Sequence, residues 1–244
     1  MKKLFAASLI FFSLLSLQAQ DKSFQLGFLL APNISWINPD SEGLESDGSK
    51  FGFSYGVIAD FNIAENYSVS TGFTLLNSGG KIDYPDKVDV ATAGGTSVSQ
   101  GGRTTADIRL KYVQIPLTIK LKTNEIGYMR YFGQFGLGAA VNIDAEAETE
   151  FDFPGGSGTV KNDEVDFKDE ISLFRASLLM GIGAEYNVSG NTSIMFGINF
   201  DNGFLNILSE DIYQEDPNGD GMGNRDESFK AINNSLILNF GVLF

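Results

Sequence analysis

The 244-residue chain sets 31 Asp and Glu against 17 Lys and Arg, a formal charge of −14, and contains neither Cys nor His. So acidic a chain does not bind nucleic acid by neutralising phosphates. Without Cys, disulfides and thiol chemistry are excluded. Without His, the commonest general base and the usual zinc ligand are both missing. The length suits one barrel or sandwich domain.

The first nineteen residues read as a secretory signal peptide: a basic start at Lys2 and Lys3, an apolar run from Leu4 to Leu17, and a small residue, Ala19, for cleavage. That run is too short to span a membrane as a helix. Removal of Lys2 and Lys3 takes the formal charge from −14 to −16. Residues 20–244 are then expected to form one domain.

From Ser23 the chain alternates with a period of two, the mark of strands whose faces meet different surroundings. The first run places Phe24, Leu26, Phe28, Leu30, Ile34 and Trp36 on one face. After a polar segment, Asn38 to Lys50, the second sets Phe51 through Ile63 against Gly52, Ser54, Asp60 and Asn62. A tight turn at Glu65-Asn66 leads to a third run, Tyr67 to Leu75, and then to a Gly/Ser/Thr-rich segment, Pro85 to Ala106. In the fourth run, Asp107 to Lys122, the apolar positions shift from Ile108, Leu110, Tyr112 to Val113, Ile115, Leu117. That shift predicts a β-bulge near Tyr112-Val113, with Pro116 as a second irregularity.

A short turn, Thr123 to Ile126, precedes the fifth run, Met129 to Ile143, and the acidic segment Ala145 to Asp169 follows. The sixth and seventh runs, Phe174 to Val188 and Ile194 to Phe204, are joined at Ser189-Gly190-Asn191. A last long segment, Ser209 to Lys230, leads to the closing run, with Leu236, Leu238, Phe240, Val242 and Phe244 on one face. Eight strands with connections alternating long and short predict an all-β fold: an eight-stranded antiparallel transmembrane β-barrel with long extracellular loops and short periplasmic turns. A soluble barrel would point its apolar face inward. Here that face carries more Phe, Leu, Ile and Tyr than a narrow lumen holds, and the other carries mostly Gly, Ser, Asn and Thr. The apolar face is therefore assigned to lipid. Trp36, Tyr67, Tyr84, Tyr128, Tyr131 and Tyr186 are candidates for interfacial girdles.

That assignment sends Asp60, Arg130, Arg175, Glu185 and Asp201 into the lumen, where charges persist only when paired. The two Arg are expected to match the three acids as a salt-bridged plug, in preference to an ion pathway. In the last long segment, Asp216, Asn218, Asp220, Met222, Asn224 and Glu227 follow the spacing of a calcium loop, with Gly221 at its sharp turn. Calcium is the one possible cofactor, and none is required. Ten carboxylates between Asp144 and Glu170 face only Lys161 and Lys168, which reads as a solvated surface or as a docking face for a basic partner or for divalent cations bridging to lipopolysaccharide.

A terminal aromatic on a closing strand resembles bacterial outer-membrane barrels, in which it is part of the signal read by the barrel-assembly machinery. The ending Leu-Gln-Ala-Gln of the signal peptide, the run from Arg109 to Lys120 and the segment from Gly133 to Ala139 are similar to the small outer-membrane β-barrel family of Bacteroidota, called PorT-like. Tyr-x-x-Ile-Pro-Leu (Tyr112 to Leu117) is the most specific part, and the likeness covers essentially the whole mature chain. It implies an eight-stranded outer-membrane barrel and maps no catalytic motif. A non-enzymatic structural or interaction role is expected. The alternatives are a part in a secretion or uptake machine and a narrow channel. Expected partners are outer-membrane lipid and lipopolysaccharide, the assembly machinery and possible secretion-system proteins.

Overall fold

The computed structural model describes residues 23–41, 43–91, 97–154, 158–209 and 230–244. They form nine strands: β1 (Phe24–Pro39), β2 (Glu45–Ala64), β3 (Tyr67–Ala91), β4 (Ser97–Lys122), β5 (Met129–Asp152), β6 (Thr159–Asp166), β7 (Phe174–Ser189), β8 (Thr192–Gly203) and β9 (Ala231–Leu243). Eight of them close a ring. Each of β1 to β5 pairs antiparallel with the next, β5 pairs with β7, and β8 and β9 carry the ladder back to β1. Phe28 opposite Val242 and Leu30 opposite Phe240 fix the closing register. Backbone bonds between Leu26 and Phe244 tie the two ends of the ring.

The ninth strand, β6, pairs with β5 alone. The sequence reading assigns Ala145–Asp169 to a loop; instead β5 runs on to Asp152 and β6 folds back along it. Its residues are almost all exposed. Its ladder is bulged opposite Ala147 and Thr149, with Glu164 at φ 55. Charges and a bulge are devices that keep a free edge from pairing with other strands.

The wall is of unequal height. β3, β4 and β5 have 25, 26 and 24 residues, whereas β8 and β9 have 12 and 13. At ~3.3 Å per residue, the tall side carries roughly 40 Å more strand than the short side. The short connections after β2, β4 and β7 share one rim, and the tall side rises from the other.

The polarity of the wall inverts along this height. Toward the short-turn rim the outward positions are apolar and exposed, as at Phe28, Phe73, Leu117, Ile182 and Phe240, while the interior holds Asn33, Ser54, Thr74, Gln114 and Thr118. On the tall side the interior is apolar, with Leu76, Ile82, Ile108, Leu110 and Tyr112 at most 2% exposed. Lys111, Arg109 and Asp107 there point out. Such a wall has lipid outside its lower part and water outside its upper part.

Both irregularities expected along β4 have a counterpart, but the first belongs to the facing strand. The β4 pleat is unbroken, with Ile108 to Lys122 inward at every even position. What changes at Tyr112 is the medium outside. The bulge lies on β5, where Ile143 is the extra residue between Lys111↔Asp144 and Tyr112↔Asn142. Pro116 does mark a break: the β3–β4 ladder is interrupted between Thr71↔Leu117 and Thr74↔Gln114, since Pro offers no N–H. Thr71 Oγ1 donates to the Pro116 carbonyl at 2.8 Å across that break.

Candidate functional site

The chemistry-bearing side chains gather inside the ring in two clusters. The first lies toward the short-turn rim. Lys120 and Lys122 alternate with Ile119 and Leu121 on β4, so the same pleat that turns the apolar pair out turns both lysines in. Lys120 Nζ donates to Asp60 Oδ2 at 2.5 Å and to Glu185 Oε1 at 3.4 Å. Lys122 Nζ lies 3.2 Å from Glu185 Oε2 and 3.6 Å from Asp60 Oδ2. Ser70 Oγ donates to the other oxygen of Asp60 at 2.5 Å. All four charged side chains are at most 5% exposed, and their charges sum to zero.

Beneath Lys120 the ring of Phe132 has its centroid 4.8 Å from Nζ. Phe132 occupies space left by Gly183, where a Cβ would stand 2.4 Å from its Cζ. Glycine is required there by the close approach.

The second cluster sits deeper, on β7, β8 and β9. Arg175 Nη2 donates to Asp201 Oδ1 at 2.6 Å and to the Asn233 carbonyl at 2.9 Å. Gln114 Nε2 donates to Asp201 Oδ2 at 2.8 Å. The Arg175 guanidinium lies 5.8 Å from the ring of Tyr112. Between the clusters is a cavity of about 70 Å³ bordered by Ser70, Thr74, Gln114, Lys120, Met195 and Asn239. At ~30 Å³ per water it holds about two. Above, Ile171, Ile207 and Leu208 are buried in the apolar interior of the tall side, where Ile171 bridges to Leu208 beyond the end of the β7–β8 ladder. The described residues thus stack an ion-pair quartet, a small cavity, a second ion pair and an apolar plug.

Arg175, Asp201, Asp60 and Glu185 lie in these clusters. Arg130 does not. It pairs with Glu125 at 3.4 Å, both about one-third exposed, beside the turn that joins β4 and β5. Arg130 stands opposite Glu185 in the ladder, but Glu185 turns to the lysines deeper in. At the rim the guanidinium keeps its water, and no burial cost has to be offset. Lys120 and Lys122 supply the cations that the sequence reading sought in Arg130. The signal was present in their alternation with Ile119 and Leu121, whose outward, apolar phase turns both lysines inward.

Outside, the expected aromatic girdle is present at the short-turn rim, where Tyr67, Tyr128, Tyr131 and Tyr186 are exposed and the Tyr128 and Tyr186 rings lie 6.2 Å apart. Trp36 stacks on Phe200 at 6.2 Å nearer the other edge of the apolar belt. Tyr84 departs from the expectation: it lies on the tall side, half-buried against the apolar interior there. Burial, with Asp86 and Glu170 nearby, pushes its hydroxyl up to about 12. Of the acidic segment, Asp144 receives a bond from Lys111 at 2.7 Å, Glu150 one from Lys161 at 2.7 Å, and Glu148 pairs with Arg109. Lys111 holds the Asp144 carboxyl below its ordinary value and is itself raised by that bond. Asp216, Asn218, Asp220, Met222, Asn224 and Glu227, and the signal peptide, lie outside the described residues. Among the described residues no three carboxylates are grouped to hold a metal.

A closed ring of antiparallel strands with an apolar belt outside and paired charges within defines an integral membrane β-barrel. The family model for the outer membrane protein beta-barrel domain matches residues 18–209, so the chain belongs to that family and is an integral protein of the bacterial outer membrane. Similar solved structures include Neisserial surface protein A, at 15% identity and TM-score 0.43, covering 91% of this chain and 96% of that one. OprG from Pseudomonas aeruginosa matches at 10% and 0.44, covering 89% and 95%. The outer membrane protease OmpT from Escherichia coli matches at 11% and 0.35, covering 92% and 96%. Likenesses at this level carry no argument about role. Comparison with curated proteins finds no match.

Proposed function

We propose that this chain is a non-enzymatic, non-conducting outer-membrane barrel that presents the tall acidic side of its wall outside the cell as an interaction surface. The observation that carries this reading is the inversion of polarity: β3 to β6 continue past the apolar belt with a packed interior and a charged exterior, which suits a surface displayed to water. Paired charges and the apolar plug speak against a narrow channel, because an aqueous path needs lumenal charges that face water. A role beside a secretion or uptake machine has the PorT-like stretch Tyr112 to Leu117 as its support; stable co-purification with other envelope proteins would favour it.

The test has two arms. Asp152→Cys, at the far end of β5, should react with an impermeant maleimide on intact cells; reaction only after lysis would reverse the orientation. Purified protein in planar bilayers should show no steady single-channel steps, and reproducible steps would make it a channel.

A further inference from the structure

Within the quartet, Lys120 Nζ meets Asp60 Oδ2 at 2.5 Å, with the two side chains 1% and 0% exposed. A further group attends each partner. Glu185 Oε1 lies 3.4 Å from the same Nζ, and Ser70 Oγ donates to the other oxygen of Asp60 at 2.5 Å. The Phe132 ring closes one side of Nζ at 4.8 Å. The cavity of about 70 Å³ opens on both Lys120 and Ser70. An amine held against a carboxyl group, with a second carboxylate to carry protons and a hydroxyl on the spectator oxygen, is equipped for acyl transfer.

We propose that Lys120 and Asp60 condense after folding into an amide, a covalent link between β4 and β2 that the chain forms by itself. The ion pair is the state that precedes closure. Glu185 relays one proton from Nζ to Oδ2, leaving an amine beside a carboxylic acid. The amine attacks Asp60 Cγ, and the Ser70 hydroxyl holds the negative charge that develops on Oδ1. Glu185 then takes a second proton from the nitrogen and delivers it to Oδ2, which leaves as water. Of the three protons on the ammonium, one stays on the amide and two depart with the oxygen. An ammonium and a carboxylate thus become one amide and one water, and no other reagent is consumed. The water has the adjoining cavity to enter, and Lys122 and Glu185, 3.2 Å apart, remain as a neutral pair.

Burial favours closure by withdrawing the hydration that stabilises the two charges in water. Fixed proximity adds an effective concentration on the order of 10⁵ M or more. The other ion pairs lack this combination. Arg175 and Asp201 are as deeply buried, but a guanidinium keeps its proton and is no nucleophile. Lys111 and Asp144 meet at 2.7 Å with side chains 47% and 37% exposed to water.

The experiment is intact mass spectrometry of the full chain, folded in detergent and followed over hours. The freshly folded barrel should have the mass of its sequence and then lose about 18 Da, one water. A tryptic digest of the product should join Phe51–Lys81 to Tyr112–Lys122, uncut after Lys120. Lys120→Arg should keep its full mass, and Lys111→Arg should close as the wild type does. Glu185→Gln should close at least about a hundredfold more slowly, the ordinary share of a proton carrier. Heat-modifiable mobility checks that each variant folds; the wild-type digest needs no variant and decides the question where they do not. A folded barrel that keeps its full mass, or a digest with the two peptides separate, would overturn the proposal. The same loss persisting in Lys120→Arg would place it elsewhere, as in a cyclised Asp47-Gly48, and overturn it equally. Closure of Glu185→Gln at the wild-type rate would overturn the part given to Glu185.

Discussion

Lys120 Nζ reaches across the interior of the ring to Asp60 Oδ2 at 2.5 Å, joining β4 to β2, which are not neighbours in the sheet. β3 lies between them. Lys120 also meets Glu185 on β7, so it joins two opposite sides of the ring and braces the wall across the lumen.

Removing one partner leaves an uncompensated buried charge. Lys120→Met should destabilise the barrel by about 3–5 kcal/mol, since Asp60 and Glu185 would then share Lys122 alone. Lys120→Met with Asp60→Asn restores neutrality and should recover at least half of that loss. Urea midpoints of the heat-modifiable form measure both; equal midpoints for the single and double variants would refute the brace.

Arg130 offers the contrast. Its pair with Glu125 is about one-third exposed on both sides. Arg130→Gln should change stability by no more than about 0.5 kcal/mol, as exposed pairs do. A loss comparable to that of Lys120→Met would place Arg130 functionally within the buried network.

Gly183 is tested by bulk. A side chain there drives into Phe132, which in turn supports Lys120, and into the Phe196 carbonyl, which a Cβ would meet at 2.4 Å. Gly183→Val should cost about 1–3 kcal/mol, and Phe132→Leu in the same chain should return the side-chain part of it. An unchanged urea midpoint for Gly183→Val alone would show that both the ring and the β8 backbone give way.

The pH dependence lies on the tall side. The Tyr84 hydroxyl is raised from 10.0 to about 12, by burial first and then by the carboxylates of Asp86 and Glu170. The folded state therefore holds this proton where the unfolded chain has lost it. The stabilising contribution is complete below pH 10 and is lost as pH rises through about 12. Burial raises Tyr112 to about 12 as well, so phenolate absorbance should show two late titrations, of which Tyr84→Phe removes one. An unchanged late amplitude in that variant would show that Tyr84 titrates with the exposed tyrosines.

Strand number, ring closure and the lipid-facing side were legible because a membrane barrel writes its two media directly into alternate residues. The legibility ended where one medium ended. Above the belt, β4 exchanges lipid for water outside, so Ile108, Leu110 and Tyr112 move to the apolar side without any change of pleat. A reader of sequence sees the same letters as a slipped phase. The acidic stretch after Ile143 failed for a related reason: strands with charges on the outside and alanines such as Ala145 and Ala147 on the inside lack the bulky alternation that flags a lipid-facing strand. Within the lumen, Asp60, Glu185, Arg175 and Asp201 were visible as isolated charges on polar faces. Which charge met which depended on distances across the ring, and those are not written in any one strand.

The bulge at Ile143 has a consequence for length variation. Where a ladder is regular, losing one residue exchanges inside for outside for everything beyond the cut. At Ile143 the opposite holds, because it is the unmatched residue between Lys111↔Asp144 and Tyr112↔Asn142. Its deletion would straighten the ladder while Asp144, Glu146 and Glu148 kept their exposure and Ala145 and Ala147 their burial. A chain lacking Ile143 should still reach its heat-modifiable form, whereas one lacking Leu117, which would turn Lys120 and Lys122 to the lipid, should not. At this seam one residue fewer leaves both faces of the wall as they are.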